Sequence, residues 1–512
     1  MTESGNVPEQ VVRRVPGSDE TEEEIRRIIK ICKTAKENGR EIVAVQGLGF
    51  VGAINSAVIA DVEKDGDPPY MVIGVDLPTI DSFWKIEMIN HGVCPFKSED
   101  PEVDDVFRRS VIERGTLLAT WVDEVYRHAD LVVVDINLDV EKTGIGEAAA
   151  SSVNIEPFRK ALTVLAENIK PEALVLVETT VPPGTLQNIA KPIFEEGFRR
   201  RGMDPGSNPP LLAHSYERVM PGKEYVSSIK RMRRTYSAVS DEAADRARDF
   251  LSNLVDTENY PLWRLDKPNA SELAKILENS YRAMNIAFIH EWTKLAEDMG
   301  VNLFSIIDSI RVRKGTHDNI MYPGFGVGGY CLTKDPLLAQ WSSREIFGRD
   351  DMLDFSVMAV DVNDLMPGHT FDLLVKGLGG DLSGKRIAVL GASYRKDVDD
   401  TRNSPTILLH DLIRERGGEV AIHDPYATEM QQREDIAVHS DIDEVLSGSD
   451  SVIFVVNHNF YCGMDMDFLI DRVGSGCVIV DAFNILDDRK ITFLKRNGMV
   501  VYGVGKGHIK NL

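Results

Sequence analysis

The chain has 512 residues, 43% hydrophobic and 27% charged, with a formal net charge of −23. That length suits roughly two to four domains with full cores, and so acidic a chain is excluded as a general nucleic-acid binder because phosphates would repel it. Five scattered cysteines with no CxxC pair, and no apolar run of about 18 residues, exclude a disulfide framework, a zinc site and a membrane-spanning helix, and imply a protein of the reducing cytoplasm with no metal.

Residues 1–18 read as a disordered polar tail that lacks the apolar core of a signal peptide. "DETEEEIRRIIKICKTAKENGR" follows as a lead-in helix, acidic in its first turn and basic in its last. Tail and helix together occupy residues 1–40. "EIVAVQGLGFVGAINSAVIADV" predicts a β-branched strand, a glycine turn and an apolar helix. "PPYMVIGVD", "ADLVVVDINL" and "EALVLVETT" predict further buried strands. Strands alternating with helices make residues 41–260 a Rossmann-like α/β domain with a parallel sheet. "NASELAKILENSYRAMNIAFIHEWTKLAEDMG" predicts a long helix, capped by Asn269 or Ser271 and stopped by Gly300. It opens a central all-α domain over residues 261–378. "GKRIAVLGASY" restarts the α/β pattern, and "GGEVAIHDPY", "SDSVIFVVNH" and "GCVIVDAFN" continue it. Residues 379–512 therefore form a second Rossmann-like α/β domain.

The turn Gly47-Leu48-Gly49-Phe50-Val51-Gly52 is a G-x-G-x-x-G between strand and helix, and Asp76 closes the next strand. Gly47 permits the tight turn, Gly49 lets a pyrophosphate approach the backbone, and Gly52 lets helix and strand pack closely. Asp76 accepts hydrogen bonds from a ribose hydroxyl and repels a 2′-phosphate, which favours NAD over NADP. In the second α/β half, "VLGASY" keeps only Gly391 of the three glycines, which argues against a second dinucleotide.

The segment "GFGVGGYCLTKD" (residues 324–335) sets Cys331 behind glycines and ahead of an expected helix. The glycines suit a backbone that a bulky ligand approaches. A thiol there, close to Lys334, gains thiolate character, whereas the usual fate of a free cysteine is a small buried residue. Asp335 is one turn further on, and Lys275 and Asn279 lie one turn apart on the long helix. A thiolate beside a nicotinamide site has a chemical use. An aldehyde must become tetrahedral before it can lose hydride, and sulfur addition makes that adduct. The combination points to oxidation of an alcohol to an acid with two NAD. A lysine and an amide would stabilise the oxyanion, and Asp335 would handle protons.

The turn at Gly47, "ETTVPPGT" (178–185), "YERVMPG" (216–222), "AKILENSY" (274–281), the cysteine segment and "GASYRKDVDDTRNSP" (391–405) occur in this order. Over residues 40–505 the chain resembles the UDP-glucose/GDP-mannose dehydrogenase family of nucleotide-sugar 6-dehydrogenases. The resemblance implies Cys331 as nucleophile, with Lys275, Asn279 and Asp335 as its partners. Thr180 resembles the family threonine near nicotinamide and catalytic water, and Glu217 the glutamate that assists proton transfer. Phe325, Gly326, Gly328, Gly329 and Tyr330 look like the loop over the sugar and phosphates. Lys334 and Arg402 resemble residues near the cofactor phosphates, Arg395 a substrate-binding lysine, and Arg311 or Arg313 an arginine lent by a neighbouring subunit. The family pattern also implies a UDP-sugar held by the C-terminal domain and a homodimer, or a higher homo-oligomer, built around the long helix. The chain departs from the pattern at "VVVDINLD" (132–139), at Phe483, at Leu332-Thr333, and in an insertion over 78–100. Arg218 beside Glu217 resembles the UDP-N-acetylhexosamine branch, and Tyr330 resembles the UDP-glucose branch. A non-catalytic nucleotide-binding protein on this fold would be expected to lack Cys331, Lys275 or Asp335, and all three are present.

Overall fold

A computed structural model describes residues 14–216, 218 and 222–512. The chain forms two compact units, one of Met1–Asp139, Val153–Ile276 and Trp341–Gly348, the other of Val140–Ser152, Leu277–Gln340 and Arg349–Leu512. The central helical region expected over 261–378 is thus divided between them. The physical reason is length, because a helix of 30 residues spans about 45 Å, more than one small core can cover.

The first unit is built on strands β1 (Glu41–Gln46), β2 (Tyr70–Val75), β3 (Leu117–Thr120), β4 (Leu131–Val134), β5 (Leu174–Val177), β6 (Leu211–Ser215), β7 (Thr235–Ala238) and β8 (Trp263–Arg264). Their order across the sheet is β8-β7-β6-β5-β4-β1-β2-β3. All neighbours are parallel except β6 and β7. "LVVV" of β4 and "LVLV" of β5 are buried throughout, as parallel strands covered on both faces must be. Strands β3-β2-β1-β4-β5-β6 follow the doubly wound order, with the switch point between β1 and β4. The lead-in helix α1 (Ser18–Glu37) buries Ile28, Cys32 and Ala35 in the same core as Ile42, Met71 and Val125. Helix α2 (Phe50–Ala60) follows the glycine turn, and α3 (Phe83–Asn90) fills the insertion after β2.

The second unit repeats the plan. Strands β9 (Arg386–Leu390), β10 (Glu419–His423), β11 (Val438–His439), β12 (Ser451–Phe454), β13 (Val478–Asp481) and β14 (Val500–Gly503) run β11-β10-β9-β12-β13-β14, all parallel. Helices α4 (Ala270–Met299), α5 (Leu303–Arg311), α6 (Asp335–Glu345) and α7 (Asp354–Gly377) form the helical region. Helix α4 starts at Ala270, which leaves Asn269 at the cap position and puts Ser271 inside the helix. The Ser271 hydroxyl is instead 2.6 Å from His214 Nδ1 and 2.6 Å from Ser237 Oγ, a buried network of the first unit. Gly300 ends the helix at φ +71°, as the sequence predicts.

Within the first unit, the first turn of α4 is held by Glu272, whose carboxylate accepts the N–H of Gly184 at 2.6 Å and of Leu186 at 2.7 Å. Burial pushes this carboxyl up to about 8, against the pull of the backbone N–H groups of Leu186, Gly184 and Thr185. A folded-state value raised above the unfolded 4.5 contributes stability that is full below 4.5 and is lost as pH rises through about 8. Urea midpoints of the wild type should therefore fall between about pH 5 and pH 9 more steeply than those of Glu272→Gln. Parallel pH profiles would show that Glu272 does not titrate in this window.

Candidate active site

The dinucleotide turn is tightly packed at Gly47 and Gly52 and open at Gly49. Gly47 has φ +97°, and a Cβ there would lie 2.6 Å from the Asp135 carbonyl. A Cβ on Gly52 would lie 2.0 Å from the Gly47 carbonyl, so helix and turn touch through hydrogen alone. Around Gly49, apart from its chain neighbours, no heavy atom of the described residues lies within 4 Å of that position, which leaves room for a pyrophosphate at the N-terminus of α2. Leu48 is buried against Gly74, while Phe50 packs edge-on to Phe96 and Tyr225, and Val51 is half-buried in the first turn of α2. Asp76 Oδ2 accepts the Leu48 N–H at 3.2 Å, and Lys85 Nζ also lies 3.2 Å from it. Sequence reasoning missed Lys85. Its signal lay in the insertion, nine residues past Asp76 on the helix that the insertion forms.

The same unit gathers cations around one ring. Lys275 Nζ lies 5.5 Å from the centre of the Tyr216 ring and the Arg218 guanidinium carbon 5.3 Å from it. Arg218 also donates to the Tyr216 hydroxyl at 2.9 Å. Tyr216 is buried, and only the YERVMPG motif pointed to it. Beneath it, burial pushes His214 down to about 3, and the Lys275 charge adds to that, so the imidazole stays neutral. Thr180 is half-buried in the turn after β5. Glu217 lies outside the described residues.

In the second unit, Cys331 is exposed, unlike a structural cysteine, and its carbonyl accepts the N–H groups of Lys334 and Asp335 where α6 begins. Asp335 is fully buried, and its Oδ2 accepts the Asn279 amide at 2.6 Å. Lys334 Nζ is 3.5 Å from Asp335 Oδ1 and 4.4 Å from the centre of the Tyr330 ring. The structure therefore brings Cys331, Asp335, Asn279, Lys334 and Tyr330 together at one helix start.

A second segment grips this loop. The Gly329 N–H donates to the Arg402 carbonyl at 2.9 Å, and Asn403 Nδ2 donates to the Gly329 carbonyl at 3.1 Å. Arg402 is fixed by both oxygens of Asp400, whose hydrogen bond raises the guanidinium pKa. A Cβ on Gly328 would lie 2.4 Å from Tyr394 Cβ and 2.8 Å from the Asn403 carbonyl, and one on Gly329 would lie 2.7 Å from the Tyr394 ring. These two glycines are thus required by the protein's own packing as well. Burial pushes the Tyr394 phenol up to about 12, with the charges of Asp400 and Cys331 adding to the effect.

The remaining candidates are placed as follows. The Phe325 side chain is buried in the core of the second unit, so it anchors the loop. Gly326 is half-buried at φ +148°, against Pro367 and Pro405. Arg311 lies over the Tyr322 ring and donates to the Asp318 carbonyl, whereas Arg313 is exposed. Arg395 is exposed beside Tyr394. Phe483, the departure from the family pattern, packs against Gly324. In the turn after β10, Asp424 stands where Asp76 stands in the first unit, but it accepts the N–H groups of Ala392 and Ser393 in the turn after β9. Burial raises its pKa, and the His458 hydrogen bond and charge overcome this to hold it at about 2.

The NAD binding domain of the UDP-glucose/GDP-mannose dehydrogenase family matches residues 41–245, its central domain residues 269–364 and its UDP binding domain residues 388–488. The chain is 28% identical over 472 residues to a UDP-N-acetyl-D-mannosamine dehydrogenase of Pyrococcus horikoshii, covering 91% of this chain and 100% of that one. It is similar in structure to an NDP-N-acetyl-D-galactosaminuronic acid dehydrogenase from Methanosarcina mazei, at 27% identity and TM-score 0.78, covering 95% and 98% of the two chains. A UDP-D-ManNAc dehydrogenase structure from Pyrococcus horikoshii matches at 27% identity and TM-score 0.76, covering 91% and 100%.

The packing around the cysteine loop gives a sharp contrast. Gly324→Ala meets only the Phe483 ring at 3.5 Å, an ordinary contact. It should leave kcat/KM within about twofold, while Gly328→Ala should lower it about ten- to a hundredfold, the scale of the 1–3 kcal/mol that overpacking costs. Steady-state kinetics of the two variants check this, and equal effects would remove the packing role of Gly328.

Proposed function

Because the chain belongs to the UDP-glucose/GDP-mannose dehydrogenase family, we propose that it oxidises the C6 hydroxyl of a UDP-N-acetylhexosamine to a carboxylate, with Cys331 as a covalent nucleophile. The observation that carries this reading is an exposed thiol at the start of α6, next to a buried carboxylate held by an amide and an ammonium. The NAD binding turn fits a dinucleotide, since Gly49 leaves the backbone open and Gly47 and Gly52 close the turn. Bound NAD supplies the hydride acceptor, one molecule for each oxidation.

The first oxidation removes a proton and a hydride from the C6 alcohol and leaves an aldehyde. The Cys331 sulfur then adds to C6, forming a C–S bond and a thiohemiacetal alkoxide. The Lys275 ammonium and the Asn279 amide stabilise this oxyanion. Loss of the second hydride gives a thioester. Water attacks the thioester carbonyl, the C–S bond breaks, and the thiolate returns. Asp335 Oδ1, which has no hydrogen-bond partner among the described residues, receives or orients a proton during these steps. Thr180 and Glu217 act in the same proton transfers, as the family pattern implies. Arg402 and Lys334 serve the cofactor phosphates, and Arg395 with the loop of Gly326, Gly328, Gly329 and Tyr330 holds the UDP-sugar.

Arg218 supports the N-acetylhexosamine reading, since its tie to Tyr216 keeps a cation beside Glu217 in sequence and beside Lys275 in space. The names of the related dehydrogenases agree with it. Tyr330 favours a second reading, a UDP-glucose 6-dehydrogenase. A panel of UDP-GlcNAc, UDP-ManNAc and UDP-glucose followed by NADH absorbance separates the two. Turnover of UDP-glucose alone would overturn the hexosamine assignment.

The thioester route predicts two NADH per sugar. Cys331→Ala should make no acid while binding NAD nearly as well as the wild type. Cys331→Ser should react slowly and hold a covalent sugar, because its ester is a far poorer leaving-group system than a thioester. Intact mass spectrometry reads the adduct. Near wild-type acid formation by Cys331→Ala would end the covalent mechanism.

The second unit also leaves Leu277, Tyr281, Phe288, Trp292, Leu295 and Met299 at least half exposed along α4. Spacings of three, four and seven put them on one stripe, the pattern of a helix that packs against another helix. Helix α7 adds Phe355, Met358 and Leu365, also exposed. We assign this surface to a second copy of the chain. Light scattering should report a dimer or larger assembly, and Trp292→Glu should shift it toward the monomer. A monomeric wild type would refute the assignment.

A further inference from the structure

We propose that the first unit carries a second small-molecule site, under the lead-in helix, for an amphipathic anion with an apolar body and a phosphate or carboxylate head. A pocket of about 570 Å³ opens between α1 and the edge of the sheet. That volume is within the usual range for small-molecule sites. Its walls include the apolar side chains of Ile31, Met71, Val111 and Leu118, and its cations are Arg27, Lys30 and Arg40. Among the described residues no carboxylate lines it, in a chain with 81 acidic and 58 basic residues. Local charge of this sign therefore runs against the charge of the whole molecule.

The cations differ in how free they are. Arg27 shares its charge with Glu24 at 3.0 Å. Lys30 is exposed and unpaired among the described residues. Arg40 is half-buried, and among the described residues its guanidinium has neither an ion pair nor a hydrogen bond. A planar fork of donors left open beside an apolar wall suits a bidentate oxyanion. The carbonyls at the end of α1 do not oppose this, because the N–H groups of Asn38, Gly39 and Arg40 already bond those of Thr34, Ala35 and Lys36. The negative end of the helix dipole is thereby blunted.

The sheet edge contributes as well. The register of β2 with β3 turns the peptide groups of Leu117 and Ala119 away from β2. Asn90 bonds both polar atoms of Ala119, while Leu117 borders the pocket. The site is separate from the dinucleotide turn. Gly47 and Asp76 follow the C-terminal ends of β1 and β2, whereas Arg40, Met71 and Leu117 mark the N-terminal ends of β1, β2 and β3. Two of its three cations come from α1, which precedes the segment matched by the family's NAD binding domain. All three cations lie outside that matched segment.

Calorimetric titration of the full chain with octyl phosphate, octanoate, octanol and inorganic phosphate tests the proposal. One octyl phosphate or octanoate should bind per chain, at least about tenfold tighter than octanol, the scale of one hydrogen bond to a charged group. Octyl phosphate should also bind more tightly than inorganic phosphate. The stronger of the two charged ligands identifies the head group. Lys30→Ala with Arg40→Ala should remove about tenfold for the charged ligands and nothing for octanol, with basal NAD reduction unchanged. Ile31→Trp keeps the cations, fills the cavity, and should abolish binding of both. Equal affinity for octanol and the anions, indifference to the two alanines, or no binding of either anion at about 1 mM, well above the concentrations of a specific site, would overturn the proposal.

Discussion

Glu272 is almost completely removed from water, yet both its oxygens hold backbone N–H groups of the turn after β5. A buried carboxyl group is tolerated only where its hydrogen bonds are made, so the turn and the first turn of α4 are locked to each other. Lys275 stands three residues further along the same helix, and its cation rests against the Tyr216 ring. Ser271, the residue before Glu272 and an expected cap, is drawn instead into the network of His214 and Ser237. The start of α4 is thus fixed by three polar contacts that water cannot replace. Candidate chemistry on that helix inherits its position from them.

Close approach of backbones is the second constraint, and it acts in both units. In the first, Gly52 meets the Gly47 carbonyl, so any side chain would push α2 off its strand. In the second, Gly328 and Gly329 press against Tyr394 and Asn403, and the backbone bonds to Arg402 and Asn403 keep them there. The thiol of Cys331 follows two residues later, at the point where the loop turns into α6. Its exposure and its place are therefore consequences of how tightly the preceding glycines are held.

The two acidic residues that follow the second strand of each sheet show how one topology takes two uses. Asp76 shares its carboxylate with the Leu48 N–H and the Lys85 ammonium, at the edge of an open glycine turn. Asp424 spends its oxygens on Ala392, Ser393, Tyr426, Ala427 and His458, all of its own unit. The same strand order supports a cradle that stays available in one case and a self-satisfied turn in the other. That difference agrees with the matches to an NAD binding domain and a UDP binding domain.

The sequence by itself determined the two largely parallel sheets, the dinucleotide turn, the long helix with its Gly300 stop, and the placing of Cys331 one turn before Asp335. Those features rest on local spacing, which the chain carries wherever it folds: glycine intervals, buried apolar runs and one-turn separations. Tertiary structure alone decided the rest. It set Lys85 against Asp76, brought Lys275 and Arg218 to the Tyr216 ring, and turned the Phe325 side chain into the core. It also made Tyr394 the reason for Gly328 and divided the central helices between two units. None of these could be read from spacing, because each depends on which distant segments meet, and that is fixed by burial and by hydrogen bonds whose partners lie tens to hundreds of residues apart.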